Sequence, residues 1–303
     1  MRSRSSIEIR RCRPLLGTFV EIAASGTNTA DLECGIAAAF ASVEKVHRLM
    51  SYHDARSDVS RMNRDAFIKG VIVHPWTWQV MKVAKRFAEE SQGTFDVTVA
   101  RLLTKWNYLP NCCYQFSPTA TSRDIFLRRN HEVFFRRALI VDLGGIAKGF
   151  AVDRAVEALK DNGVTAGIVN AGGDLRTFGP ASRLIHLRHP RDPTSVAGAV
   201  RLRERAMATS GTYFERRKYR GIHVAPLLDG RTGQSGREII SVSVAAAECM
   251  AADALTKIVF ALREKAAGLL ARYHADVLLL EGYGAPSWIV HSSCDTCDQT
   301  RFD

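Results

Sequence analysis

Several stretches of the chain carry residue types that could handle a phosphate or a metal ion. In Asp142-Leu143-Gly144-Gly145-Ile146-Ala147-Lys148-Gly149, a carboxylate ends a predicted strand and two residues without Cβ open a predicted helix. Backbone N–H groups there can approach a phosphate closely, and Lys148 can reach the same anion. The pattern is neither a P-loop, because no Ser or Thr follows a Gly-Lys pair, nor the GxGxxG dinucleotide fingerprint. A helix-start turn with a surface lysine explains it equally well. Asn170-Ala171-Gly172-Gly173-Asp174 leaves a β-branched strand and has the composition of a tight turn. Ala208-Thr209-Ser210-Gly211 sets two hydroxyls beside a flexible residue, and Gly93-Thr94-Phe95-Asp96-Val97-Thr98-Val99 adds a carboxylate at a helix-to-strand junction. Asp229-Gly230-Arg231-Thr232-Gly233 is predicted as a loop turn preceded by His223, and a lone histidine is more often packed or solvated than a base.

Asp253 lies in the apolar run Cys249 to Phe260, where a carboxylate must be paired or bind a cation. Lys257 at i+4 would supply an ordinary ion pair, whereas Thr256 at i+3 together with a metal is the functional alternative. Local sequence leaves the two open.

The elements that must position these residues follow from periodicity. A short strand over Phe19–Ile22 precedes a helix begun by Asn28 or Thr29, with Ile36, Phe40, Val43 and Val46 on its apolar face. A second helix starts at Pro75, presents Trp76, Val80, Val83, Ala84 and Phe87, and stops before Gly93. Residues 138–143 are predicted as a buried strand, followed by a helix closed at Gly163. Gly167–Asn170, Arg183–Leu187, Val196–Leu202, Glu238–Val244 and Ala275–Leu280 are predicted strands, with a helix from Ala246 to Leu262. Consecutive strands without helices between them over 183–244 predict antiparallel pairing, hence an α+β fold of largely antiparallel sheets with packed helices. Residues 104–137 are expected to be an irregular excursion.

With 303 residues the chain suffices for one large domain: a basic segment over 1–16, a single domain over 17–290, in which two subdomains could intertwine, and a polar tail over 291–303. Its 46% hydrophobic and 24% charged residues exclude disordered, collagenous and disulfide-scaffold classes. Seven scattered cysteines fit reduced thiols, and Cys294 with Cys297 forms a lone CxxC lacking the second pair of a zinc site. No apolar run is long enough for a membrane span and the N-terminus shows neither signal peptide nor lipobox, so a cytoplasmic location is expected. The formal charge of +11 is compatible with a phosphate-bearing ligand or an acidic partner. Nucleic acid is not expected as a partner: beyond charge and Arg2, Arg4, Arg10, Arg11 and Arg13, the chain has no nucleic-acid module.

Taken in order, Leu16-Gly17-Thr18, Ser51-Tyr52 with Ser57 to Asn63, Gly93 to Val99, Asp142 to Gly149, Asn170 to Asp174, Ala208 to Gly211, Asp229 to Gly233 and Ala252-Asp253-Ala254 resemble the ApbE family of flavin transferases. The likeness runs from about Gly17 to Leu262. It implies FAD as substrate, Mg²⁺ as cofactor, and transfer of the FMN moiety to a Thr or Ser hydroxyl of a target flavoprotein with release of AMP. By the same resemblance Gly144, Gly145 and Lys148 would serve the phosphates, while Asp253, Thr256 and the carbonyl near Gly145 would hold Mg²⁺. Leu16, at the family's Met position, would line the flavin and adenine ends with Tyr52, Phe95, Asp96 and Asp142. Thr94, Gly172, Gly173, Asp174, Thr209 and Ser210 complete the implied binding set, and His223, Asp142 and Lys148 form the implied catalytic set.

Three positions depart from the family pattern. Lys257 stands where the family commonly has Thr, four residues after the metal-binding Asp. Pro226 stands at the usual His, with His223 three residues earlier, and Gly230 replaces a Pro. An FAD pyrophosphatase, with water in place of the acceptor hydroxyl, and a flavin-binding protein without turnover are the alternatives these changes raise.

Overall fold

Alternating side chains in the central strands of the second half build the framework, because those strands have apolar residues on both faces to cover. The computed structural model describes residues 6–111, 114, 116–192, 194–213, 215–236, 240–281 and 287–289. Cys112, Cys113, Glu238, the Cys294–Cys297 pair and the tail over 291–303 lie outside the described residues.

The hairpin β1 (Ile7–Leu15) and β2 (Thr18–Gly26) is followed by α1 (Thr29–Met50), α2 (Asp58–Asp65), β3 (Val71–Ile72) and α3 (Pro75–Glu90). Then come α4 (Ala100–Lys105), the hairpin β4 (Ile125–Arg128) and β5 (Glu132–Phe135), and α5 (Ala147–Asp161). The second half holds β6 (Ala166–Ala171), β7 (Asp174–Phe178), β8 (Arg183–Arg188), β9 (Val196–Leu202), β10 (Ala206–Gly211), β11 (Arg217–Tyr219) and β12 (Ile222–Val224). It ends in β13 (Ile240–Ala246), α6 (Cys249–Leu262), α7 (Ala267–Arg272), β14 (Asp276–Glu281) and β15 (Ser287–Ile289).

Eight strands form one sheet in the order β1-β2-β6-β7-β10-β13-β14-β15. Every neighbouring pair in it is antiparallel, as the sequence predicts. The pleat sends alternate residues to opposite faces. Val242, Val244, Val277 and Leu279 enter the main core beneath α1, α5 and α6. Ala245, Leu278 and Leu280 instead join Leu175, Met207, Leu187 and Leu202, where the β8–β9 hairpin covers the other face. Among the described residues no helix is long and apolar enough to cross a membrane.

The predicted helices form with the expected punctuation. Asn28 Oδ1 accepts from Ala30 N at the start of α1, and Pro75 occupies the first turn of α3, whose cap is His74. Residues 7–15 of the basic N-terminal segment pair along β2 as the sheet's edge strand. Three expectations change. The excursion over 104–137 contains β4 and β5, which join β3 in a small sheet; strands of four residues are too short for periodicity to reveal. Val97–Val99 is a turn of 3-10 helix, because Asp96 Oδ1 captures Thr98 N at 2.8 Å and curls the chain. Residues 138–143 run extended but join no sheet: Asn63 holds Val141 on both sides (Nδ2 to O 2.9 Å, N to Oδ1 2.8 Å) and Asp142 N donates to Val97 O at 3.0 Å.

Candidate active site

Two helix N-termini meet below the cavity. Gly149, in the first turn of α5, comes so close to the start of α6 that a Cβ on it would lie 2.3 Å from Cys249 O. The approach lets each helix cap the other. Asp153 on α5 accepts from Cys249 N (3.0 Å) and Met250 N (2.8 Å), and Asp253 on α6 accepts from Gly149 N (3.1 Å). Both carboxylates therefore sit at the positive end of the neighbouring helix.

Each also has a cation. Arg176 reaches Asp153 at 2.7 Å, and Lys257 bonds Asp253 Oδ1 and, at 2.9 Å, the Asp253 carbonyl. Behind the cavity wall Lys148 pairs with the fully buried Asp174 at 2.5 Å. Asp174 and Asp253 thus share two ammonium groups, and the set is neutral. Burial, then the neighbouring Asp253, pushes the Asp174 carboxyl up, and its Oδ1 finds no donor among the described residues. Burial opposes ionisation of Asp253 too, but Lys257 and Lys148 outweigh it and hold that carboxyl below its ordinary value. Asp174 in turn keeps the Lys148 ammonium protonated, raised despite burial.

Above this set opens a cavity of 380 Å³. Its walls include Thr94, Phe95, Asp96, Asp142, Gly144, Gly145, Lys148, Gly172, Thr209 and Ser210, drawn from four of the sequence stretches singled out above. Lys257 also lines it, with its Cε 3.5 Å from where a Cβ on Gly145 would stand. Phe95, Leu103, Leu109, Leu227 and Leu228 add apolar lining. The hydroxyl of Thr94 is buried in this wall without a partner among the described residues, which leaves it free for a ligand.

Asp142 and Asp96 look alike in sequence and differ here. Asp96 is spent on structure: Oδ1 accepts from Thr98 N and Oγ1, and Oδ2 from Ser122 N and Oγ. The Asp142 carboxyl bends over Gly144, where a Cβ would come within 2.9 Å of Oδ2. Burial pushes this carboxyl up, against the backbone amides of Gly144 and Leu143 and the nearby His53 that pull it down.

The remaining candidates fall outside the cavity wall. Asp174 and Asp253 lie behind the two lysines, and Thr256 behind Ser210, to which it is bonded at 2.7 Å. Gly173 supports the β6–β7 turn through Asn170 Oδ1. Leu16 sits at the β1–β2 turn with φ +56°, two residues from Thr18, which packs so tightly on Gly172 that a Cβ there would meet Thr18 Oγ1 at 2.4 Å. Tyr52 is buried in the main core. His223 is not brought to this cavity. It is exposed on β12 and lines a separate recess with Trp106, Asp229 and Gln234, while Pro226 takes the place at the cavity.

The sequence reading missed Tyr108, a cavity residue whose hydroxyl donates to the Val224 and Glu215 carbonyls and so ties the irregular segment to β12. Nothing local announces it, because both acceptors are more than 100 residues away. Asp153 was missed for a related reason. Its role as a cap depends on amides 96 and 97 residues further along the chain.

Among the described residues no three His, Cys, Asp or Glu side chains gather as a metal site. The Asp253, Thr256 and Gly145 set is therefore the one to test against Mg²⁺, and it does not fit. Asp253 Oδ1 and its carbonyl receive the Lys257 ammonium, Oδ2 receives Gly149 N, and Thr256 Oγ1 donates to that same carbonyl at 2.7 Å. An ion that needs about six oxygens around it finds those of Asp253 and Thr256 already engaged with N–H and O–H groups.

Comparison with known proteins agrees with this architecture. The model of the ApbE family matches residues 16–279. An FAD:protein FMN transferase of Vibrio cholerae is 29% identical over 229 residues, 70% of this chain and 69% of that protein. A protein of the same name from Treponema pallidum is 25% identical across 97% of this chain and 89% of its own length. Among solved structures, the ApbE protein of Thermotoga maritima superposes with a TM-score of 0.80 at 29% identity, covering 94% of this chain and 97% of that one. The flavin transferase ApbE from Vibrio cholerae gives 0.76 at 22% identity, a likeness of fold.

Proposed function

The chain belongs to the ApbE family, and from that premise we propose that it is an FAD:protein FMN transferase, moving the FMN moiety of FAD to a Thr or Ser hydroxyl of a target flavoprotein and releasing AMP. The observation that carries the reading is the cavity where a glycine turn, two lysines and the Thr209–Ser210 hydroxyls meet apolar side chains. A diphosphate needs the first group, and a flat ring system needs the second.

The chemistry of this chain's own residues runs as follows. Gly144 and Gly145 allow the diphosphate to approach the backbone, and Lys148 and Lys257 offset its charge. The acceptor oxygen attacks the phosphorus on the FMN side, the bond from that phosphorus to the bridging oxygen breaks, and AMP leaves with the bridging oxygen. Asp142, raised by burial and lining the cavity, takes the proton of the acceptor hydroxyl. His223 has no part in this scheme, nor does magnesium, whose implied side-chain ligands Asp253 and Thr256 are engaged elsewhere.

The test is incubation of the purified chain with FAD, in buffer containing magnesium, together with a flavoprotein bearing a candidate acceptor hydroxyl. Mass spectrometry of the acceptor should show one covalently attached FMN, with AMP in equal amount. Free FMN and AMP without the adduct would make the chain a hydrolase, and FAD binding without either product would make it a carrier.

A further inference from the structure

We infer that the Lys257 ammonium takes the place of a divalent cation in this cavity, so that the chain holds its flavin dinucleotide without magnesium. The inference rests on the transferase reading for its ligand but not for its metal chemistry.

Three observations carry it. Lys257 Nζ donates to both Asp253 Oδ1 and the Asp253 carbonyl, so the carboxylate that would hold a cation already holds an ammonium. The remaining oxygen, Oδ2, caps α5 through Gly149 N at 3.1 Å and cannot turn outward without uncapping the helix. The charge count is already closed: Asp174 and Asp253 face Lys148 and Lys257, two negative groups against two positive ones. With no diphosphate in the cavity, a divalent ion added here would leave a surplus of two positive charges in a buried setting, which is unfavourable. It would also have to expel Lys257 from a side-chain position that is only 19% exposed.

Lys257 is suited to the task because it belongs to the cavity wall as well as to the buried pair. Its stem runs past Gly145, its Cε 3.5 Å from where a Cβ on that residue would stand, so the lysine reaches the glycine turn expected to receive the phosphates.

Manganese provides a direct probe, since its paramagnetism reports protein-bound ion without any turnover. The wild-type chain, titrated with Mn²⁺ and followed by EPR with and without FAD, should bind no stoichiometric ion. Its FAD affinity, measured by quenching of flavin fluorescence, should be the same in EDTA as in magnesium. Lys257→Thr should gain one Mn²⁺ and bind FAD at least about tenfold more tightly with the ion than without it, as an added oxygen ligand and a freed carboxylate permit. One Mn²⁺ bound stoichiometrically by the wild-type chain and lost in Asp253→Asn would overturn the inference, and that pair of measurements decides it even if Lys257→Thr does not fold. Failure to bind FAD under either condition would defeat the transferase reading, while the manganese count would still judge the role of Lys257.

Discussion

Asp153 and Asp253 are the same device used twice. Each leaves one helix, crosses the gap that Gly149 keeps narrow, and accepts backbone N–H groups at the start of the other helix. Their surroundings separate them. Asp153 takes two amides and one guanidinium, and none of these groups lines the cavity. Asp253 takes one amide, and its other oxygens serve Lys257, which does line it. A helix-terminus cap thus becomes part of a binding site when one of its hydrogen bonds is given over to a cation that also faces a cleft. The first carboxylate closes the fold, and the second holds a charge in position.

The largest expected effect tests the closing role. Asp153→Ala leaves two amides of α6 and the Arg176 guanidinium without their partner, and breaking a buried pair of this kind costs about 3–5 kcal/mol. Urea denaturation should show that loss, with FMN transfer falling only as far as the unfolded fraction rises. Wild-type stability in this variant would make Asp153 a passive neighbour and dissolve the comparison.

Lys148→Met tests the other side. Asp174, already pushed up by burial, can accept a proton once its partner is gone, so the fold should survive. Transfer should fall by about 10²–10³, the usual consequence of removing one preorganised group that faces developing charge. A variant as active as the wild type would remove Lys148 from the phosphate end of the cavity.

Gly149→Ala strikes both caps at once. The added Cβ meets backbone atoms of Cys249 and Met250 at 2.3–2.8 Å, and backbone at a helix start cannot rotate aside as a side chain would. Overpacking of this kind costs about 1–3 kcal/mol. Thermal melting should register it together with weaker FAD binding, because separating the helices also withdraws Gly149 N from Asp253. A loss of stability with flavin affinity intact would show that only the Asp153 cap depends on the close approach.

What the sequence could reveal follows the range of each interaction. Helices and long strands were legible because their apolar periodicity is local, and the glycine turns because Gly-Gly chemistry is written in adjacent residues. The Lys257–Asp253 pair was legible as one of two options, since i and i+4 share a helix face. The reciprocal caps were not, because Asp153 meets Cys249 across 96 residues and nothing near either residue specifies the other. The sequence predicts a strand over 138–143 because a buried apolar run looks the same whether its amides go to a sheet or, as here, to Asn63 and Val97. His223 illustrates the reverse error: it stands three positions before Pro226, and that interval is enough to carry it to a different recess.

The smallest effect is a change of slope with pH, and it is where the two caps should diverge in sign. Asp253 is held below the ordinary carboxylate value, with Lys257 and Lys148 overcoming burial, so its ionised form contributes stability that is complete above the unfolded value and lost as pH falls through the folded one. In Asp153, burial outweighs Arg176 and the two amides and lifts the carboxyl above that value. Its contribution therefore grows as pH falls from the folded value to the unfolded one. Denaturation midpoints collected across the acid range should accordingly flatten in Asp253→Asn, which no longer has that charge to lose, and steepen in Asp153→Asn, which no longer has the compensating gain. Because slopes are compared, any constant cost of either substitution drops out. Two variants tilting the curve the same way would mean that the neighbouring cations do not distinguish the caps, and that the difference between them is one of location alone.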